Sequence, residues 1–165
     1  MNILVCLSAV PDTTTKITFT DNDTKFNTDG VQFIINPYDE LALTKALEIT
    51  EANGGEVTVI SVGEASIDPV IRKALAIGAH KAVRIDTAAK DGMHVAQSIK
   101  QAIEGQSYDL ILTGRESIDY NGGQVAGLLS ELMDMSLVNV VTSIEIDGSS
   151  VTAVRDIDGG RETVS

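Results

Sequence analysis

The chain has one cysteine, no tryptophan, three prolines and half as many basic as acidic side chains. Each shortage closes a class of explanation. The lone thiol, Cys6, cannot form an intrachain disulfide. Without a second cysteine there is no CxxC redox pair or thiolate metal site, which fits a reducing compartment. Twelve Lys and Arg against twenty-four Asp and Glu leave a net charge of −12 at pH 7. That balance argues against nucleic acid as a partner, because basic patches that neutralise phosphates supply most of such affinity. A small phosphate ligand stays open, since a helix N-terminus acts locally whatever the global charge. No basic residue precedes Lys16, so the basic opening of a signal peptide is missing. No apolar run approaches the roughly 18 residues that a membrane span needs. The expectation is a cytoplasmic protein without membrane insertion.

What is present reads as alternation. The 165 residues, 43% hydrophobic and 22% charged, suit one α/β domain over 1–165. "NILVCL" (2–7) is a short apolar run of the kind buried on both faces of a sheet. "VQFII" (31–35) follows a polar stretch, Thr13 to Asp29, that reads as a surface loop or loose hairpin. Next, Asn36 can N-cap a helix, Pro37 fits its first position, and Asp39 and Glu40 suit its positive end. Gly54 is the stop. Strand and helix then alternate: strands at 56–62, 81–86 and 108–114, helices at 68–78, 92–105 and 122–134. Short connections between such units imply a parallel sheet covered by helices.

After Ser136 the pattern changes to a hairpin, 137–146 and 151–157 around "DGSS". "RETVS" resembles the start of a third strand, and the expectation is that the chain is a piece of a longer protein. The fold class expected is therefore α/β: a three-layer, Rossmann-like, mostly parallel sheet with helices on both faces and strand order 3-2-1-4-5. A C-terminal antiparallel hairpin completes it.

In such sheets ligands bind outside the carboxyl ends of the strands, near the point where strand order reverses. Ser8 to Val10, Val62-Gly63 and Thr113-Gly114 all fall there. The loop "GRESIDYNGGQV" beyond Thr113 is the richest in possible donors. Gly122 and Gly123 lack Cβ atoms where a helix begins, so free amides could approach an anion closely. Asn121 or Gln124 could add a side-chain donor. The same glycines could simply turn and cap the chain. Asp119 suits an anion site only by accepting from ribose hydroxyls or pairing with Arg115, and Arg115 alone reads as a surface charge.

Other signatures are missing. There is no G-x-x-x-x-G-K-[ST] loop and no G-x-G-x-x-G after the first strand. His80 and His94 have no ligand cluster around them and read as surface histidines. Cys6 reads as a small core residue or pocket wall. No nucleophile, base and oxyanion donor come together, so a hydrolase is not indicated.

Four stretches together carry a resemblance: "NPYDELAL…KALEI", "SVG…IRKALAIGAHKAVRI", "YDLILTGRESID…GGQVAGLL" and "VTAVRDIDGGRET". With "LSAVPDT" near the start, they are similar to the beta subunit of electron transfer flavoproteins, from Met1 to Ser165. The resemblance implies an electron-carrier subunit, not a bond-breaking enzyme. It implies an adenine-nucleotide site holding AMP or a second FAD, and an alpha-subunit partner carrying FAD. Acyl-CoA or other dehydrogenases would supply the electrons. The matched ligand positions are Cys6; Asn36, Pro37, Tyr38 and Asp39; Val62; and Asp119, Tyr120, Asn121, Gly122, Gly123, Gln124, Val125 and Ala126. Cys6 and Val62 would flank the adenine and the glycine loop would cradle phosphate. A basic residue is usual in this family where Ser8 stands. The alternative is a nucleotide-binding regulator similar to universal stress proteins, which share this sheet type; the Asp-Gly-Gly-x-Glu-Thr ending argues against it. An adenylating enzyme on the same fold would want a Ser-Gly-Gly loop after the first strand, and "LSAVPD" is not that.

Overall fold

The computed structural model describes residues 1–165. Its centre is a four-stranded parallel sheet of β1 (Asn2–Cys6), β6 (Glu56–Val62), β7 (Lys81–Ile85) and β8 (Leu110–Thr113), in spatial order β7-β6-β1-β8. This realises the first four places of the expected order 3-2-1-4-5. No parallel strand fills the fifth. The segment after the last helix builds its own antiparallel sheet instead: β9 (Val141–Asp147), β10 (Ser150–Ile157) and β11 (Gly160–Val164), in order β11-β10-β9. The expected hairpin is thus a three-stranded sheet, because "GRETV" pairs along β10 from Gly160↔Ile157 to Val164↔Ala153.

Helices cover both faces of the parallel sheet. Alternate residues of each strand point to opposite sides, so Ile3, Val5, Val57 and Val59 face one layer while Leu4, Cys6 and Ile60 face the other. Leu43, Ala46 and Ile49 of α1 (Pro37–Asn53) and Val70 and Ala74 of α2 (Asp68–Ile77) fill the first layer. Ala96 and Ile99 of α3 (Gly92–Ala102) and Leu129 of α4 (Val125–Met133) fill the second. Each large side chain buried this way stabilises the fold by about 1.5–3 kcal/mol. Ile144 and Ile146 of β9 pack on the α1 layer and attach the antiparallel sheet.

Two small ribbons depart from the simple reading. "VQFII" does not enter the parallel sheet; β5 (Phe33–Ile35) pairs antiparallel with β2 (Ala9–Pro11). The polar stretch before it holds a short hairpin, β3 (Phe19–Thr20) with β4 (Lys25–Phe26). Its turn runs through Asp21, Asn22 and Asp23, all with positive φ of 54–63°. Asp and Asn tolerate that left-handed region better than other side chains. No helix is long and apolar enough to cross a membrane.

Chain order fixes where a crevice must lie. After β1 the chain builds outward through β6 and β7, then crosses back to place β8 on the other side of β1. The loops leaving β1 and β8 therefore diverge to opposite faces, and a gap opens between them.

Candidate functional site

A cleft of about 530 Å³ occupies that gap, within the roughly 300–1,000 Å³ usual for small-molecule sites. Its walls come from the ends of β1, β6 and β8, the start of α1, the loop before α3 and the loop before α4. Cys6, Asn36, Asp39, Val62, Asp119, Tyr120, Gly122, Gly123 and Val125 line it. Pro37, Tyr38, Asn121, Gln124 and Ala126 belong to the same two segments but are not among the lining residues.

Asn36 does not do what its position before a helix suggests. Its side chain makes no capping bond. The amide Nδ2 instead donates to the Glu116 carbonyl at 2.9 Å, and Oδ1 accepts from the Ile118 amide at 3.2 Å. Its own amide donates to the Ser8 carbonyl at 2.9 Å. A residue only 1% exposed thus joins the loop after β1 to the loop after β8, at the start of α1.

Asp39 lies in the first turn of α1 and is 6% exposed. Its Oδ2 accepts from the Ser8 amide at 2.7 Å and the Ser8 hydroxyl at 2.6 Å, and Oδ1 accepts from the Gly114 amide at 3.0 Å. Burial pushes its carboxyl above the usual range, against these hydrogen bonds, which favour the ionised form. Cys6 forms part of the floor. Burial, and then the charge of Asp39, push its thiol up to about 12, so it is neither nucleophile nor thiolate ligand at neutral pH.

The loop from Ser117 to Gly122 closes on itself. The Ser117 amide donates to the Gly122 carbonyl at 3.0 Å, the Asn121 amide to the Ser117 carbonyl at 3.0 Å, and the Gly122 amide to Ser117 Oγ at 3.2 Å. Asn121 takes a φ of 57° to complete the turn. The helix expected from 122 begins at Val125, because two adjacent glycines weaken helix formation. Gly122 also has a purpose of its own: a Cβ there would lie 2.4 Å from the Tyr120 ring. Its amide serves the loop.

The amides free for a ligand are those that follow. No backbone carbonyl or side chain accepts from Gly123, Gln124, Val125 or Ala126, and they stand at the positive end of α4. The start of α3 lies beside them: a Cβ on Gly92 would sit 3.4 Å from that of Gln124. Asp91 caps α3 by accepting from the His94 amide at 2.7 Å. Asp119 accepts from its neighbour's amide, Tyr120, at 3.0 Å. Arg115 is exposed, and its nearest carboxylate is Glu116 at 4.0 Å.

His80 is exposed, as expected, whereas His94 is half-buried. Nδ1 of His80 accepts from the Val57 amide at 3.1 Å, and Nδ1 of His94 is buried without a partner.

Sequence reasoning missed two walls. Glu64, Ser66 and Ile67 follow β6, and Ala88 to Gly92 follow β7. The rule that ligands sit at strand carboxyl ends covers both. Apart from the apolar Ile67, these residues are small or charged and carry no further signal.

The electron transfer flavoprotein domain family matches residues 23–165. The chain is 36% identical over 168 residues to the electron transfer flavoprotein subunit beta of Bacillus subtilis, covering 99% of this chain and 65% of that protein. It is 32% identical over 167 residues to the subunit beta of Dictyostelium discoideum, covering 100% and 67%. It is 34% identical over 171 residues to protein FixA of Sinorhizobium fredii, covering 97% and 60%. The chain therefore spans just under two thirds of the Bacillus relative's length. A parallel sheet with its cleft at the reversal of strand order, and a match across most of the chain, lead to one assignment: the chain belongs to the electron transfer flavoprotein family, among its beta subunits.

Proposed function

We propose that the cleft holds an adenine nucleotide, either AMP or a second FAD. On this reading the chain is the nucleotide-binding part of an electron-carrier subunit in the cytoplasm. It pairs with an FAD-carrying alpha subunit, and the pair takes electrons from acyl-CoA or other dehydrogenases. Bound flavin supplies the redox chemistry; the residues here bind and orient.

The observation that carries this reading is the row of unpartnered amides from Gly123 to Ala126, at the positive end of α4 and beside the cleft. Such a row suits a phosphate. Cys6, Val62 and Ile67 give apolar walls suited to a planar ring. The Asp119 carboxylate, with one oxygen on the Tyr120 amide, has its other oxygen free to accept from a ribose hydroxyl.

The test is co-expression of the native protein with its genomic neighbour. A yellow complex is expected, and chromatography of the nucleotide released by acid distinguishes AMP from FAD. A colourless protein with neither partner nor nucleotide overturns the reading.

A further inference from the structure

We infer that Asp39 is a positioning residue: its carboxylate sets the gap between the loops after β1 and β8. The inference rests on the nucleotide-binding reading above. An acid in the first turn of a helix ordinarily faces solvent and serves the helix dipole. This one is buried, and all its partners are neutral: the Ser8 amide and hydroxyl on one oxygen, the Gly114 amide on the other. A buried carboxylate is costly unless hydrogen-bond donors replace its water. Those donors come from the two strands between which the order reverses. Neither loop can move away without stranding a buried charge.

Gly114 reports the same constraint from the other side, since a Cβ there would fall 2.2 Å from Asp39 Oδ1. Helix α1 holds the carboxylate in place, the Asp39 amide donating to the Asn36 carbonyl at 2.8 Å. Oδ2 is filled by its two donors and Oδ1 holds one, so the carboxylate is committed first to the two loops. Its charge at the floor also keeps a phosphate toward the α4 end, where the free amides are.

Two measurements on the full chain test this. The first is hydrogen exchange. Asp39→Asn can offer only one acceptor oxygen, so the Ser8 or Gly114 amide should exchange at least about tenfold faster, whether or not a nucleotide binds. Unchanged exchange at both amides overturns the proposal. The second is AMP affinity through a double-mutant cycle of Asp39→Asn and Ser8→Ala. If Asp39 acts through Ser8, the loss from Ser8→Ala shrinks in the Asp39→Asn background. Additive losses mean that Asp39 does not act through Ser8, which also overturns it. Should Asp39→Asn fail to fold, Ser8→Ala alone must still speed exchange at residue 8 and weaken AMP binding. A wild-type chain that binds neither AMP nor FAD defeats the nucleotide reading, while the exchange result still decides the role of Asp39 in holding the loops.

Discussion

The side-chain amide of Asn36 donates to the backbone carbonyl of Glu116 at 2.9 Å, across 80 positions of sequence. With Asp39, three residues on in the same turn, it ties the cleft's loops together at the start of α1. Replacing Asn36 by Ala removes that donor and the acceptor for the Ile118 amide. Part-buried polar groups left unpaired cost about 1–3 kcal/mol. Asn36→Ala should lower unfolding free energy by about 2 kcal/mol in urea titration. A change under about 0.5 kcal/mol would show that water replaces the clamp.

Three glycines should respond in opposite directions to alanine. At Gly114 the new Cβ collides with Asp39 Oδ1 at 2.2 Å and its backbone N at 2.8 Å, so a loss of about 1–3 kcal/mol is expected. At Gly123 the nearest atom is the Arg115 carbonyl at 3.3 Å, and the effect should be small. At Gly127, inside α4, nothing lies within 4 Å. Removing glycine's backbone freedom there should stabilise by about 0.5–1 kcal/mol. Thermal melts of the three variants give the order directly.

The pH dependence of stability should carry two opposed signatures. The folded value of Asp39 lies above its ordinary 3.8, so the native state keeps a proton that the unfolded chain has released. Its contribution is then largest below 3.8 and declines as pH rises through the folded value. Asp12 runs the other way. Hydrogen bonds from the Thr14 hydroxyl and amide lower it, so its contribution is present above 3.8 and lost as pH falls. Melts of wild type and Asp39→Asn from about pH 4 to 7 isolate the first signature. Wild type should lose ground to the variant as pH rises. A gap widening in favour of wild type is the contrary result.

Cys6 should be chemically silent in the folded protein. Its thiol, pushed up to about 12, is almost wholly protonated at pH 8, and the thiolate is the reactive form. Iodoacetamide should leave native protein unmodified and label it fully in urea, by intact mass. Rapid labelling of the native chain would place Cys6 in an open, polar setting.

The sheet was legible from sequence because its strands are short apolar runs at regular spacing, and Pro37 and Gly54 mark the ends of α1. The register of β9 to β11 was half visible, since "RETVS" has strand composition but its partner lies back in β10. The role of Asn36 was hidden for a specific reason. Capping grammar reads only the next few residues, and the true partner of this side chain is remote. Gly122 was misleading in the same way: its missing Cβ makes room for Tyr120, a fact of loop packing that spacing cannot express. Pro37 and Tyr38 show the opposite limit, because a motif can be matched in full while only Asn36 and Asp39 face the cleft.

The pairing of β1 with β8 has a consequence for biosynthesis. Ile3 lies opposite Leu110, and the Asn2 amide donates to the Asp109 carboxylate across 107 positions. On the ribosome, β1 emerges first and finds β6 as a neighbour, but its other edge stays bare while those 107 residues are made. At about 5–20 residues per second that exposure lasts roughly 5–20 seconds. A nascent chain with an apolar, unpaired strand edge is a target for aggregation and for chaperones. The crevice between β1 and β8 is finished only when the edge is covered. A ligand can therefore lock the completed sheet but cannot template its beginning.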